Sequence, residues 1–307
     1  MKSIVVIILI FLIIQILGLY IGNEYIQLIN EGVLSPPEMI PGVSSESPEL
    51  PFLLFAYMMV VTVFILFIIK VKKSVLRGLE AFVIFISSWT VTFPFLIPLS
   101  IQNMWSNFME YMLSPLGSIG YILFSVLSLS FLFALILTIW KFLRPTIFSQ
   151  NVAAIISGSG VGALLGMVLG IVPSIIFMMI LSVYDFVSVF ITKHMVSMAK
   201  AITERPMAFT IAAPHEFKKA KYVPTKNAKQ KVHIFQLGLG DIIIPLMFSV
   251  SIMNRFTIFN SIATVIGSTI ALIVLTMIIT RKPMALPALP FVCAGALAGY
   301  IVSLFLL

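Results

Sequence analysis

The chain has 307 residues, of which 60% are hydrophobic and only 10% are charged. Soluble domains are roughly 45–50% apolar and about 25% charged, so a water-soluble globular fold is excluded for most of this chain. The net charge of +8 does not indicate nucleic-acid binding, because basic loops commonly mark the cytoplasmic side of membrane proteins. We expect an integral, multi-pass protein of the lipid bilayer, in the cell membrane if the chain is prokaryotic.

The apolar sequence divides into nine stretches that are long enough to cross a bilayer. A helix needs about 20 mostly apolar residues to do so, at ~1.5 Å rise per residue. The fold class that this predicts is an all-α polytopic membrane protein with nine transmembrane helices. The predicted spans are 3–22, 51–69, 79–101, 117–140, 152–170, 173–195, 234–253, 258–280 and 286–306.

The distribution of basic residues predicts the orientation of the bundle. With nine spans, 18 of the 19 Lys and Arg residues fall on one side of the membrane, and Arg255 is the exception. The loop between spans one and two has five Glu residues and no basic residue. Because basic loops stay in the cytoplasm, we expect a cytoplasmic N-terminus and an extracytoplasmic C-terminus.

The segment between spans six and seven is the one long basic loop, at about 196–233. Residues 204–229 are interpreted as a solvated, partly disordered linker, because they are rich in charge. Residues 231–237 contain β-branched and apolar side chains and predict a short strand just before span seven.

Spans five and nine carry glycine at every fourth position, which places the glycines on one helix face. Such a face allows very close packing of helices, and we interpret both faces as packing surfaces. The glycines are Gly158, Gly162, Gly166 and Gly170 in span five, and Gly295 and Gly299 in span nine.

Apart from the acids in the loops, two acidic residues remain, Asp185 in span six and Asp241 in span seven. A carboxylate in hydrocarbon costs at least ~2.5–3.5 kcal/mol, so each is by default a functional residue. Asp185 lies eight residues before Lys193, and Asp241 lies eight residues after His233. Each is therefore predicted ~12 Å from the cytoplasmic end of its helix, and two adjacent antiparallel helices would bring both carboxylates to one level.

Two adjacent carboxylates can hydrolyse a peptide bond. Because both cannot ionise cheaply, they share a proton; one activates a water as general base, and the other polarises the carbonyl as general acid. Gly238 and Gly240, just before Asp241, allow a backbone to approach closely. The alternative is an ion- or proton-conducting channel or transporter, which also uses intramembrane acids, although no internal repeat is evident.

No metal site is predicted, because the three His residues and the single cysteine, Cys293, lack the spacing of metal ligands.

Three motifs in order resemble the presenilin and signal-peptide-peptidase family of GxGD aspartyl proteases, with the character of its archaeal presenilin homologues. Tyr184-Asp185 matches the YD motif of the sixth span. Gly238-Leu239-Gly240-Asp241 matches the GxGD motif of the seventh span, and Pro287-Ala288-Leu289 matches the PAL motif at the start of the ninth. The specific similarity covers about the last 125 residues.

The resemblance implies an intramembrane aspartyl endopeptidase that cuts peptide bonds within or near transmembrane helices of other membrane proteins. It implies Asp185 and Asp241 as catalytic residues. Such an enzyme needs no metal or cofactor, and the resemblance leaves open whether the chain forms a homo-oligomer. The chain then divides into a scaffold bundle, 1–170 (spans one to five), and a catalytic part, 171–307 (spans six to nine) with the loop at 196–233. The residues expected to support catalysis or bind substrate are Tyr184, Gly238, Leu239, Gly240, Pro287, Ala288 and Leu289.

Overall fold

The structure is a computed structural model that describes residues 2–32, 34–37, 42–71, 73–102, 117–191, 210–214, 234–281 and 286–306. Within these residues the chain forms helices and one small sheet. The helices are α1 (Lys2–Asn30), α2 (Leu50–Val71), α3 (Lys73–Gln102), α4 (Gly117–Leu143), α5 (Ile147–Val168), α6 (Ile171–Phe190), α7 (Gly240–Met253), α8 (Ile258–Arg281) and α9 (Leu289–Leu306). The strands are β1 (Thr210–Pro214) and β2 (Ile234–Gly238).

The helices have the length and composition of a membrane bundle. Among the described residues, five helices are long and apolar enough to cross a bilayer, namely α1, α5, α6, α8 and α9. Shorter apolar stretches lie in α2, α3, α4 and α7. Large apolar side chains point outward; Ile136 is 65% exposed and Phe305 is 86% exposed. Such a surface is stable only where lipid replaces water, so the predicted helical membrane class is confirmed.

The start of span seven is the main error in the predicted spans. The prediction placed a helix over 234–253, but residues 234–238 form β2, and α7 begins at Gly240. The backbone groups of this stretch bond to a neighbouring strand, so they are satisfied without a helix. The short strand predicted within 231–237 is confirmed for 234–237, and 231–233 lie outside the described residues.

The partner of β2 lies in the segment that the sequence predicted to be a linker. β1 pairs antiparallel with β2, with Thr210 opposite Gly238 and Pro214 opposite Ile234. The linker prediction is therefore wrong for 210–214; the rest of 204–229 lies outside the described residues. Burial explains the order of this strand, because Ile211 is fully enclosed in the apolar core.

The glycines of α5 bring that helix against α7, which confirms them as a packing face. A Cβ on Gly158 would lie 2.9 Å from Leu239, and one on Gly166 would lie 2.5 Å from the Met247 carbonyl oxygen. Gly162 meets α7 in the same way, at Leu246. Every α7 residue from Ile244 to Met253 is buried, so α7 is the central helix of the bundle.

The other glycines of the two series serve different contacts. Gly170 precedes α6, where a side chain would collide with the Glu46 carboxylate. Gly295 and Gly299 of α9 pack directly on the backbone of α8, at Gly267 and Ala263. The α9 glycines are therefore a packing face as predicted, whereas Gly170 leaves room for the Glu46 side chain, which lies in the segment before α2.

Two ion pairs account for charges that the sequence left unexplained. Arg255, the basic residue that the nine-span prediction leaves on the opposite side from the others, pairs with Glu46 at 2.7 Å. Glu80 of α3 is buried with Lys141 of α4 in a direct ion pair. The prediction that Asp185 and Asp241 are the two acids outside the loops is therefore wrong, because Glu80 lies within the predicted span 79–101 and is a third buried acid, with a structural partner.

Candidate active site

Asp185 lies near the end of α6, and a backbone group holds its carboxylate. Its side chain is 7% exposed. The backbone N–H of Leu289 donates a hydrogen bond to Asp185 Oδ2 at 3.3 Å. Leu289 is the first residue of α9, where backbone N–H groups have no acceptor within the helix. The Pro287-Ala288-Leu289 segment therefore meets Asp185 through its main chain.

Asp241 is the second residue of α7, and Gly238 lies directly against it. The main chain of Gly238 faces the Asp241 carboxylate and interacts favourably with its ionised form. A Cβ on Gly238 would lie 3.3 Å from Asp241 Oδ2, so glycine keeps this approach free. A Cβ on Gly240 would meet no atom within 4 Å, so Gly240 leaves open space beside Asp241.

The Asp185 carboxyl group is near enough to Asp241 to interact with it electrostatically. The sequence argument that counted equal helix lengths to both acids fails, because 234–238 form a strand and α7 begins one residue before Asp241. The two side chains are nevertheless brought together, because α6 and α7 pack against each other.

The sulfhydryl of Cys293 lies beside this pair. It is near enough to both carboxyl groups to interact with them electrostatically, and the Ser182 side chain lies close to it. Cys293 is buried in α9, one turn after Leu289. From the sequence, Cys293 was considered only as a metal ligand; its spacing of four residues from Leu289 was the available signal that it lies near the site.

The remaining predicted residues surround the pair without all pointing at it. The Tyr184 ring packs edge-on against Phe55 of α2, with 6.0 Å between ring centroids. Leu239 is buried against Gly158 of α5. Pro287 is buried and Ala288 is half-buried, and the Ala288 carbonyl accepts the Val292 N–H at the start of α9.

Two glutamines at the site were missed by sequence reasoning. Gln15 of α1 is fully buried and donates from Nε2 to the Ile242 carbonyl oxygen at 3.1 Å. Gln150 of α5 donates from Nε2 to the Thr210 carbonyl oxygen at 2.8 Å. Gln15 was detectable, because it is the single hydrogen-bonding side chain between Ile4 and Leu19. Within the described ranges, no group of His, Cys, Asp or Glu side chains is arranged to hold a metal ion.

Comparison with known proteins identifies the family and the fold. The profile of the family described as signal-peptide peptidase, presenilin aspartyl protease matches residues 8–307. A search of curated proteins gives no match. Similar solved structures include a presenilin family intramembrane aspartate protease in a C222 crystal, with TM-score 0.67, 17% identity, and 99% of each chain covered.

A second solved structure, of a presenilin family intramembrane aspartate protease in a P2 crystal, has TM-score 0.64 and 18% identity, and covers 98% of this chain and 96% of that chain. At these identities the solved structures establish only the fold. The assignment of an activity rests on the match to the family profile. Neither gives support to the channel or transporter alternative. The chain belongs to the signal-peptide peptidase and presenilin aspartyl protease family, and it is an intramembrane aspartyl protease.

Proposed function

We propose that Asp185 and Asp241 form the catalytic dyad and that they cleave peptide bonds within or near the membrane-spanning helices of other proteins. The observation that carries this proposal is the meeting of two intramembrane carboxyl groups from α6 and α7 within electrostatic range. A carboxylate in hydrocarbon is costly, and two that repel each other electrostatically are more so, which favours a catalytic reason for keeping the pair.

The dyad performs the hydrolysis with one water and one shared proton. The ionised carboxylate takes a proton from the water as it attacks the scissile carbonyl carbon, and the protonated carboxyl donates a hydrogen bond to the carbonyl oxygen. The tetrahedral intermediate then collapses, and the nitrogen leaves with a proton from the dyad. The Leu289 N–H holds the Asp185 carboxyl group, and the main chain of Gly238 faces that of Asp241.

The small sheet supports a way of presenting the substrate. A peptide bond in a helix is shielded by its neighbours, so the substrate must be extended locally before it can be cut. β2 ends at Gly238, three residues before Asp241. A substrate strand that pairs with an edge of this sheet would lie next to the dyad, and Gly240 leaves room for its backbone. We propose this strand addition for the cleaved segment.

The topology and partners complete the proposal. Nine spans with a cytoplasmic N-terminus and an extracytoplasmic C-terminus place the sheet on the cytoplasmic side. Residues 1–170 act as the scaffold and 171–307 carry the catalytic groups, while Tyr184, Leu239 and 287–289 shape the site. The substrates are proteins or peptides with transmembrane helices, and a homo-oligomer is compatible with every contact described above.

Asparagine at either acid tests the dyad. Asp185→Asn and Asp241→Asn keep the size of the side chain but cannot act as a general base, so each should abolish cleavage without unfolding the protein. The measurement is mass spectrometry of the products from a panel of single-span peptides, together with thermal unfolding of each variant. The matched control is the pair Glu80→Gln with Lys141→Gln, which removes a buried acid and its partner elsewhere and should retain cleavage. Near-normal turnover in either aspartate variant would refute the dyad.

A further inference from the structure

Gln15 is a buried amide in the middle of an apolar helix. It is 0% exposed, and its neighbours in the α1 core include Phe11, Ile14 and Leu19. Its Nε2 donates to the Ile242 carbonyl oxygen at 3.1 Å, across the interface between α1 and α7. Its Oε1 has no hydrogen-bond partner among the described residues.

The hydrogen bond reaches the turn that carries Asp241. In a regular helix the Asp241 carbonyl would accept the N–H of residue 245, but this residue is Pro245, which has none. The first turn of α7 therefore lacks one internal hydrogen bond. The Gln15 amide supplies an external hydrogen bond to the adjacent carbonyl, that of Ile242.

The helices α1 and α7 pack closely around this contact, so a shift of α1 would move α7 with it. One turn after Gln15, a Cβ on Gly18 would collide with the Leu246 side chain, and one on Gly22 would lie 2.8 Å from Val250. α1 therefore lies flat against α7 over two turns beyond the amide. A side chain at residue 15 cannot withdraw from the first turn of α7 without opening this interface.

Stability alone does not account for the amide. A buried oxygen without a partner carries a free-energy penalty, and an apolar side chain of the same length would remove that penalty together with the hydrogen bond. The Ile242 carbonyl would keep the N–H of residue 246 as its partner in a regular helix, so this replacement should cost little stability. The Gln15 amide is therefore better explained by the part of α7 that its hydrogen bond holds in place.

We propose that Gln15 is a positioning residue for cleavage, which fixes the first turn of α7 and with it the Asp241 carboxylate. This inference rests on the proposed function of Asp241 in the dyad. It assigns to α1, a helix without any of the three family motifs, a direct part in the geometry of the active site.

The test compares Gln15→Met and Gln15→Glu with Tyr25→Phe. Tyr25 is the matched control, because it lies on the same helix and its hydroxyl donates to a backbone carbonyl, that of Thr90 at 2.8 Å, away from α7. Cleavage of a fluorogenic single-span peptide in detergent micelles gives kcat and KM, and thermal unfolding gives stability. Binding of a peptide analogue with a hydroxyl in place of the scissile amide reports the geometry of the dyad.

Gln15→Met should lower kcat roughly 10- to 100-fold, as expected when a reacting group is displaced by a fraction of an ångström to 1 Å. KM and the unfolding temperature should stay near wild type, and the hydroxyl analogue should bind more weakly by a similar factor. Gln15→Glu, which in its protonated form can donate to the same carbonyl, should recover part of kcat at low pH. Tyr25→Phe should match wild type in kcat.

Wild-type kcat in Gln15→Met would overturn the proposal, and so would a loss of kcat that follows a loss of thermal stability. Full cleavage by Asp241→Asn in the same assay would instead overturn the proposed dyad, so the two failures are distinguishable.

Discussion

At the residue scale, the contact between the Pro287-Ala288-Leu289 segment and the dyad is a main-chain contact. The Leu289 N–H bonds to Asp185, while the Leu289 side chain packs in the core beside Phe177 and Leu181 of α6. The side chain and the amide of this residue therefore do different things. One secures α9 against α6, and the other holds a carboxylate.

Leu289→Pro and Leu289→Ala separate these two roles. Both remove the leucine side chain, but only proline removes the N–H, and proline is well tolerated as the first residue of a helix. We expect Leu289→Pro to have roughly 10- to 100-fold lower kcat than Leu289→Ala, because a hydrogen bond to a charged group is lost. Steady-state kinetics with thermal unfolding of both variants gives the comparison. Equal kcat in the two would mean that the amide does not matter.

Side-chain chemistry made the residues of the pair predictable, whereas their supporting contacts depend on geometry. Asp185 and Asp241 stand out in the sequence because charge is rare in an apolar span. The N–H of Leu289 and the carbonyl of Ile242 carry no such signal, since every residue has these groups. A sequence can therefore predict which carboxylates act, but not which backbone atoms position them.

At the element scale, short strands at the membrane boundary were the hardest part to predict. β2 is followed directly by α7, so apolarity extends without a break from one into the other and suggests a single span. β1 lies in a charged stretch whose composition favours a linker. Its order comes from Gln150 and the buried Ile211, which are tertiary contacts that composition cannot reveal.

The anchoring of β1 by α5 gives a prediction about substrate binding. Gln150 donates to both the carbonyl oxygen and the hydroxyl of Thr210, at 2.8 and 3.1 Å. Gln150→Leu should loosen the sheet and raise KM by roughly 5- to 30-fold, as the loss of about 1–2 kcal/mol would do. Thr210→Val, which loses the hydroxyl contact alone, should raise KM less. An unchanged KM in Gln150→Leu would argue against strand addition by the substrate.

At the scale of the whole molecule, α7 is the helix around which the bundle is built. α5 and α1 approach it through glycine faces, at Gly166 and Gly22, and α6 and α9 bring the other site groups to its first turn. The division at residue 170 that the sequence suggested therefore separates chemical roles. The helices α1 and α5, which belong to residues 1–170, still determine the position of Asp241 through their contacts with α7.

The orientation of the whole molecule in the membrane can also be tested, and the distribution of Lys and Arg residues sets the expected result. Arg255 is the one basic residue that the nine-span arrangement leaves outside. Its charge is offset by Glu46, with which it forms an ion pair, so it is a weak argument against this orientation. The remaining basic residues, Arg144 among them, should face the cytoplasm. Ser44 and Arg144 are both exposed, at opposite ends of the bundle by this arrangement.

Ser44→Cys should react with a membrane-impermeant maleimide in right-side-out vesicles, and Arg144→Cys should react only in inside-out vesicles. The native Cys293 is 3% exposed, so it should contribute little labelling, and Cys293→Ala measures that background. The reverse pattern would place the basic loops outside, against the pull of 18 of the 19 Lys and Arg residues. It would also move the β1–β2 sheet to the outer side, so that substrates would have to be unwound from their outer ends.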